Sequence, residues 1–246
     1  MNSNDLIEAF VARLSKKKGY SGLRVDSWPD QSNRTFPEID AIAGPFAIEH
    51  TSVDRLPNQR RDTDWFAQIA KPLRAEFRHT LPFRLCVHVE YGSIKIGQDW
   101  RAITRQLREW ILDDAPQLPD GNHVVNHPQI PFLLHVTKLS QRRPTFLLGR
   151  LIPKDDCFAA RIKTQLDRKA EKLARYHGSK ITILLVENDD IALTDTTLML
   201  QVIREAYPGG PPTGVHQIWY ADTSIPEDTT FTRFLARANS VAISAS

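Results

Sequence analysis

Residues 36–53, FPEIDAIAGPFAIEHTSV, decide the predicted fold. Two short apolar runs, residues 36–43 and 46–53, lie on either side of a Gly-Pro pair. Glycine and proline are typical turn residues, whereas β-branched and aromatic residues favour strands. The segment is therefore predicted to form a β-hairpin that turns at the Gly-Pro pair.

Each predicted strand carries one carboxylate among apolar neighbours, Asp40 in the first and Glu49 in the second. The hairpin places Asp40 roughly opposite Glu49, and Glu49 shares a face with Thr51 because strand side chains alternate between faces. Two unpaired carboxylates would repel each other, and their burial would be costly. A divalent cation removes this cost, since Mg²⁺ or Mn²⁺ prefers oxygen ligands. Asp40 and Glu49 are therefore the predicted metal ligands.

Outward from the hairpin, helical and extended patterns alternate along the chain. Helices are predicted at residues 4–18, 60–79, 97–114, 155–178, 195–207 and 229–238, and strands at residues 81–91, 130–139, 144–152, 180–188 and 214–222. This alternation favours an α/β fold, a three-layer α/β/α sandwich with a mixed central sheet. We expect a single domain over residues 1–246, with one candidate boundary in a predicted loop at residues 115–129.

The composition is that of an ordinary globular protein, with 41% hydrophobic and 25% charged residues. The net charge of +3 permits a nucleic-acid partner without requiring one. Two distant cysteines, Cys86 and Cys157, cannot build a disulfide framework or a structural zinc site by themselves. No segment has the length of a signal peptide's apolar core or of a bilayer span, so we expect a cytoplasmic protein without a membrane partner.

The hairpin resembles the PD-(D/E)xK nuclease superfamily, which has the restriction-endonuclease-like fold. Members carry an aspartate on one strand and Glu-x-Lys about ten residues later. Here PEID supplies Asp40, and IEHTSV supplies Glu49 with Thr51 at the position of the lysine. The order of helix, hairpin, helix and strand is also similar over at least residues 4–95, and a later helix-strand pair would extend the likeness to most of the chain. The resemblance implies Mg²⁺-dependent hydrolysis of phosphodiester bonds, with DNA as the expected partner.

The absent strand lysine is the main departure from the superfamily pattern. Lysine supplies a positive charge, whereas Thr51 can only form hydrogen bonds. Lys169 lies near the apolar stripe of the helix predicted at residues 155–178, with Gln165 one turn before it. We therefore expect Lys169 to supply the missing charge and Gln165 a hydrogen bond. Lys172 is predicted to point further away.

Positions are also predicted for Glu8 and His50. Glu8 lies on the first helix, where many superfamily members carry an acidic residue near the site. Its spacing places it away from the apolar stripe of that helix, which favours a solvated side chain. His50 is expected on the face of its strand opposite Glu49, as a packed core histidine.

The sequence thus predicts a metal-dependent nuclease with Asp40, Glu49, Thr51, Gln165 and Lys169 at its site, and Glu8 as a further candidate. One alternative is a catalytically inactive member of the same fold that binds nucleic acid or a protein. The other is a structural domain in which the two carboxylates are solvated.

Overall fold

The computed structural model describes residues 2–32, 36–189 and 195–237. Its contacts separate into two compact units. Unit 1 comprises Met1–Arg55 and Asp156–Ser246, and unit 2 comprises Leu56–Asp155. Unit 2 is therefore inserted into the sequence of unit 1.

In chain order the helices and strands are α1 (Ser3–Ser15), α2 (Pro29–Ser32), β1 (Ala41–Ala43), β2 (Phe46–Ser52), α3 (Gln59–Phe77), β3 (Arg84–Glu90), α4 (Trp100–Asp113), β4 (Gly121–Val125), β5 (Leu134–Leu139), β6 (Thr145–Leu151), α5 (Phe158–Ala174), β7 (Ile181–Asn188), α6 (Thr196–Ala206), β8 (Gln217–Asp222) and β9 (Thr230–Ala236). Helices and strands alternate as expected for an α/β protein. Among the described residues, no helix combines the length and the apolar character that crossing a bilayer requires.

Unit 1 contains a five-stranded sheet in the order β1-β2-β7-β8-β9. The predicted hairpin is confirmed, since β1 pairs antiparallel with β2. Strands β2, β7 and β8 are parallel neighbours, and β9 closes the far edge antiparallel to β8. The central strand β7 is buried along nearly its whole length, which agrees with its continuous apolar sequence.

Helices cover both faces of this sheet. The side chains of α1 pack with one set of alternating strand residues, which includes Ile48 and Leu185. Helices α5 and α6 pack with the other set, which includes Ala47 and Leu184. Because strand residues alternate between faces, Glu49 lies on the α5 side and His50 on the α1 side.

Unit 2 contains a four-stranded sheet in the order β4-β5-β3-β6. Strand β3 pairs antiparallel with β5 and parallel with β6. Helices α3 and α4 share one apolar core with the alternating residues of β3, β5 and β6. Helix α4 begins where the Asp99 side chain accepts a hydrogen bond from the backbone N–H of Ala102, a typical N-cap.

The expectation of one central mixed sheet is corrected, because the strands form two mixed sheets. The candidate boundary at residues 115–129 does not coincide with a division between the units, which falls at Arg55 and at Asp155. Pairing between strands that are distant in sequence decides which sheet each strand joins. Local sequence patterns carry no information about this pairing. Whether the whole chain behaves as a single domain remains a prediction.

Two local predictions are wrong. Residues 121–125 lie within a predicted loop but form β4, an edge strand that pairs with β5. Residues 230–236 lie within a predicted helix but form β9, the edge strand beside β8. In both segments pairing with a neighbouring strand overrides the local turn or helix signal.

Candidate functional site

The Glu49 side chain is fully buried, with 0% of the residue exposed. It lies on β2 between β1 and β7, opposite Leu184 in the parallel register. Alternation along β2 turns it toward α5, whose packing against this face excludes water. A carboxylate in such a position requires compensation from nearby cations.

Two lysines of α5 supply this compensation. Lys169 Nζ lies 2.6 Å from Glu49 Oε1, and Lys172 Nζ lies 2.9 Å from the same oxygen. Residues three apart on a helix are neighbours on its surface, so both ammonium groups reach one carboxylate. Lys169 lies where the sequence placed it, whereas the prediction that Lys172 points away is wrong. Its long side chain brings the charge back to the buried carboxylate.

The second oxygen of the same carboxylate, Glu49 Oε2, is buried without any hydrogen-bond partner. Burial raises the pKa of Glu49, and the nearby charge of Asp40 raises it further, while the hydrogen bonds from Lys169 and Lys172 oppose this rise. An unsatisfied buried oxygen is costly in a folded protein. Glu49 therefore has one oxygen bonded to two lysines and one without a hydrogen-bond partner.

Asp40 lies immediately before β1 and in register opposite Glu49, since Ala41 pairs with Ile48. Its Oδ2 accepts a hydrogen bond of 2.6 Å from the backbone N–H of His50. This bond fixes the start of the hairpin and orients the aspartate. The two carboxylates thus lie across the hairpin from each other, as predicted, but Asp40 precedes β1 and is not part of the strand predicted for residues 36–43.

Asp30 is an acidic residue near this pair that the sequence analysis did not identify. It lies on α2, where its backbone N–H donates to the carbonyl of Ile39 at 3.2 Å. Burial raises the pKa of Asp30, and the charge of Asp40 contributes to the rise. Residues 29–32 have no amphipathic pattern, so no local pattern marks this position.

Gln165 and Thr51 form the polar neighbourhood of the Glu49 face. Gln165 Nε2 donates to Thr51 Oγ1 and to the carbonyl of Ser52, both at 2.9 Å. Thr51 is buried and contributes no charge. The amide of Gln165 therefore joins α5 to the end of β2, one turn before Lys169 and two turns before Lys172.

A basic cavity of about 420 Å³ lies next to the two lysines, lined by Pro37, Arg168, Lys169, Glu171, Lys172 and Arg175. Lys172 also donates to the main-chain oxygen of Glu38 at 2.9 Å, and Arg175 lies 3.7 Å from the Glu38 carboxylate. The lining contains four cationic side chains and one acid, but Glu49 and Glu38 neutralise part of this positive charge.

The opposite face of β2 holds a separate polar cluster. His50 Nε2 lies 3.0 Å from Glu187 Oε2, which also accepts a hydrogen bond of 2.7 Å from Ser52. Thr223 donates to the other Glu187 oxygen at 2.9 Å. Burial alone would raise the pKa of Glu187, but these hydrogen bonds outweigh it and lower the pKa to about 2. His50 is thus a buried histidine on the face predicted for it.

Glu8 is exposed on α1, and no hydrogen bond or ion pair joins it to the acidic pair within the described part of the chain. Among those same residues, no group of three or more His, Cys, Asp and Glu side chains is arranged to hold a metal ion. The residues brought together are therefore Asp40 and Glu49 with Thr51, Gln165 and Lys169. Lys172 joins them without having been predicted.

Comparison of the chain with protein-family models, with curated proteins and with solved structures finds no significant match.

Proposed function

We propose that the chain is a metal-dependent, nuclease-like protein that hydrolyses phosphodiester bonds, with DNA as its substrate. Unit 1 would be a three-layer α/β/α sandwich of the restriction-endonuclease-like type. The supporting observation is the contact of 2.6 Å between Lys169 Nζ and Glu49 Oε1. It brings a cation from α5 to the acidic position of a strand whose own lysine position is Thr51.

Two features of the described residues support a hard divalent cation. The buried Glu49 Oε2 lacks a partner, and the Asp40 carboxylate lies opposite it across the hairpin. Mg²⁺ is often bound in proteins by only one or two carboxylates, with water and substrate completing its coordination. Asp40 and Glu49 would hold Mg²⁺ or Mn²⁺, and the bound ion would supply an activated water and stabilise phosphoryl charge.

The remaining side chains have roles that follow from their positions. Lys169 would orient the attacking water or stabilise the charge that develops on phosphate oxygens. Gln165 would position Thr51 and the end of β2 through its two hydrogen bonds. Lys172, Arg168 and Arg175 would bind substrate phosphates at the basic cavity.

Cleavage of supercoiled plasmid and of single-stranded DNA in Mg²⁺ or Mn²⁺ tests the proposal. Asp40→Ala and Glu49→Ala should each abolish cleavage, while Glu205→Ala, which removes an exposed acid on α6, should retain it. Circular dichroism would establish that the inactive variants remain folded. Metal-dependent cleavage that survives both substitutions would refute this site.

A second candidate function is nucleic-acid binding without turnover. It is favoured by the neutralisation of Glu49, whose Oε1 already contacts two lysines. In that case the acid would position the lysines for phosphate binding, and affinity for DNA would be independent of metal. Binding of DNA by folded wild type that shows no cleavage on any substrate would support this candidate.

A further inference from the structure

A groove between α3 and α4 of unit 2 has no part in the site described above. Its cavity of about 600 Å³ is lined by Gln68 and Pro72 of α3 and by Trp100, Arg101 and Arg105 of α4, among others. The groove therefore combines an aromatic ring and a proline with cationic side chains.

The two arginines are available to a ligand. Arg101 and Arg105 are exposed and lie one helical turn apart, and neither makes a hydrogen bond or ion pair within the part of the chain that the structure describes. The next arginine of the row, Arg108, is instead bound to Glu76, with Nε 2.7 Å from Oε1. The groove thus presents two unpaired guanidinium groups at its edge.

The aromatic side chain is held in place. Trp100 Nε1 donates to the carbonyl of Lys95 at 3.2 Å, and the ring packs against the core of unit 2. Trp65 lies beside it, with ring centroids 6.3 Å apart. A half-buried ring fixed on two sides can bind a planar ligand with little loss of side-chain entropy.

The net positive charge of the chain lies in unit 2. Residues 56–155 contain fifteen Lys and Arg against ten Asp and Glu, a net charge of +5, whereas the whole chain has +3. The remainder therefore carries a net charge of −2. Unit 2 is the part of the sequence that electrostatics would bring to a polyanion.

We propose that the α3–α4 groove binds single-stranded nucleic acid, with a base stacked on Trp100 and the flanking phosphates bound by Arg101 and Arg105. Stacking on a tryptophan requires an unpaired base, which a duplex does not present. Guanidinium groups one turn apart can bind successive phosphates of the strand. This inference rests on the proposed nucleic-acid substrate but not on its hydrolysis.

Fluorescence anisotropy of a labelled 20-nucleotide DNA single strand, measured on the full chain without metal, tests the proposal. The double variant Arg101→Gln/Arg105→Gln should weaken binding at least tenfold and flatten the dependence on salt. Trp100→Leu should weaken it about tenfold with an unchanged salt dependence. The matched control is Arg142→Gln/Arg143→Gln, which removes two exposed arginines from the β5–β6 connection of the same unit.

The proposal would be overturned if both arginine pairs weakened binding equally, because general charge would then explain it. Tighter binding of the same sequence as a duplex, or of poly-glutamate, would overturn it as well. Glu205→Ala, which removes an exposed acid on α6, should bind the strand as wild type does. Binding that depends on Trp100, Arg101 and Arg105 in a chain that never cleaves DNA would support this groove and refute the proposed nuclease site.

Discussion

Lys172 reaches the same carboxylate oxygen of Glu49 as Lys169, and both ammonium groups lie within 3 Å of it. The second lysine also donates to the main chain of Glu38, at the start of the hairpin. Lys172 therefore bridges the acid and the segment that leads into Asp40, whereas Lys169 Nζ bonds to Glu49 alone among the residues that the structure describes. The proposed nuclease chemistry would therefore depend more on Lys169 than on Lys172.

Replacement of these lysines should affect cleavage to different extents. Lys169→Met should lower the turnover rate about 100-fold, as expected for loss of one preorganised charge, and Lys172→Met about tenfold. Both variants should also shift the acidic limb of the pH–rate profile to higher pH, because the lysines oppose the rise in the pKa of Glu49. Single-turnover cleavage between pH 5 and 9 measures both effects.

The control for these variants is Lys163→Met, since Lys163 lies on the same helix but pairs with Asp167 at 2.6 Å. It should retain wild-type rates and pH dependence. Full activity of Lys169→Met would show that the missing charge comes from elsewhere.

Metal binding should stabilise unit 1. A ligand that binds only the folded state adds about 2.7 kcal/mol at a concentration 100 times its Kd, so saturating Mn²⁺ should raise the melting temperature by several degrees. Asp40→Asn and Glu49→Gln should lose this increase, while Glu205→Gln keeps it. Differential scanning calorimetry with and without Mn²⁺ provides the measurement, and an equal increase in Asp40→Asn would argue against the pair as ligands.

Glu187 should make stability depend on acid pH. Its pKa falls from the ordinary 4.5 to about 2 in the folded protein. The stabilisation is therefore complete above about pH 4.5 and is lost as the pH falls toward 2. The ion pair of Glu187 with His50 is partly solvated. We therefore expect the ionised Glu187 to add about 1–2 kcal/mol to the free energy of unfolding at pH 7.

Urea unfolding of wild type and Glu187→Gln at pH 7, 4 and 2 checks this dependence. The difference in the free energy of unfolding should be largest at pH 7 and vanish near pH 2. Glu205→Gln, which removes an exposed glutamate, should match wild type at every pH. A difference that is the same at all three pH values would show that ionisation of Glu187 is not its source.

Gly214 should be required for the placement of α5. Its φ of +83° is unfavourable for other residues, and an added Cβ would lie 2.8 Å from the Cα and Cβ of Ala174, the last residue of the helix. Gly214→Ala should therefore cost about 3 kcal/mol, including roughly 1 kcal/mol for the left-handed backbone. Cleavage should fall as well, because α5 carries Lys169.

Gly210→Ala is the matched control, since its φ is +99° and an added Cβ would meet no atom within 4 Å. Chemical denaturation of both variants separates backbone strain from the steric contact with α5. Equal destabilisation of the two variants would remove the role assigned to the contact.

The parts of the site that follow local rules were predictable from the sequence. A turn between two apolar runs gave the hairpin, and the period of two placed Asp40 opposite Glu49. The apolar stripe of α5 placed Lys169 near the inner face. Each of these predictions depends only on residues close to one another in the sequence.

The remainder depends on contacts between distant segments. The position of Lys172 on Glu49 results from a flexible side chain that bends toward a buried charge, which helical spacing does not report. Strands β4 and β9 exist because a neighbour offers free backbone groups for pairing. Asp30 approaches the site through a short helix without periodicity.

Unit 2 is inserted between Arg55 and Asp156, and we expect this insertion to affect the order of folding. Glu49 and Lys169 are 120 residues apart in sequence. Strand β2 therefore cannot pack with α5 and β7 until the inserted segment and these two elements have been synthesised. Closure of so long a loop slows folding, whereas the contacts of unit 2 lie within one continuous segment. During synthesis the basic groove should thus be complete before the acidic pair acquires its lysines, and nuclease chemistry would be the last property that the nascent chain gains.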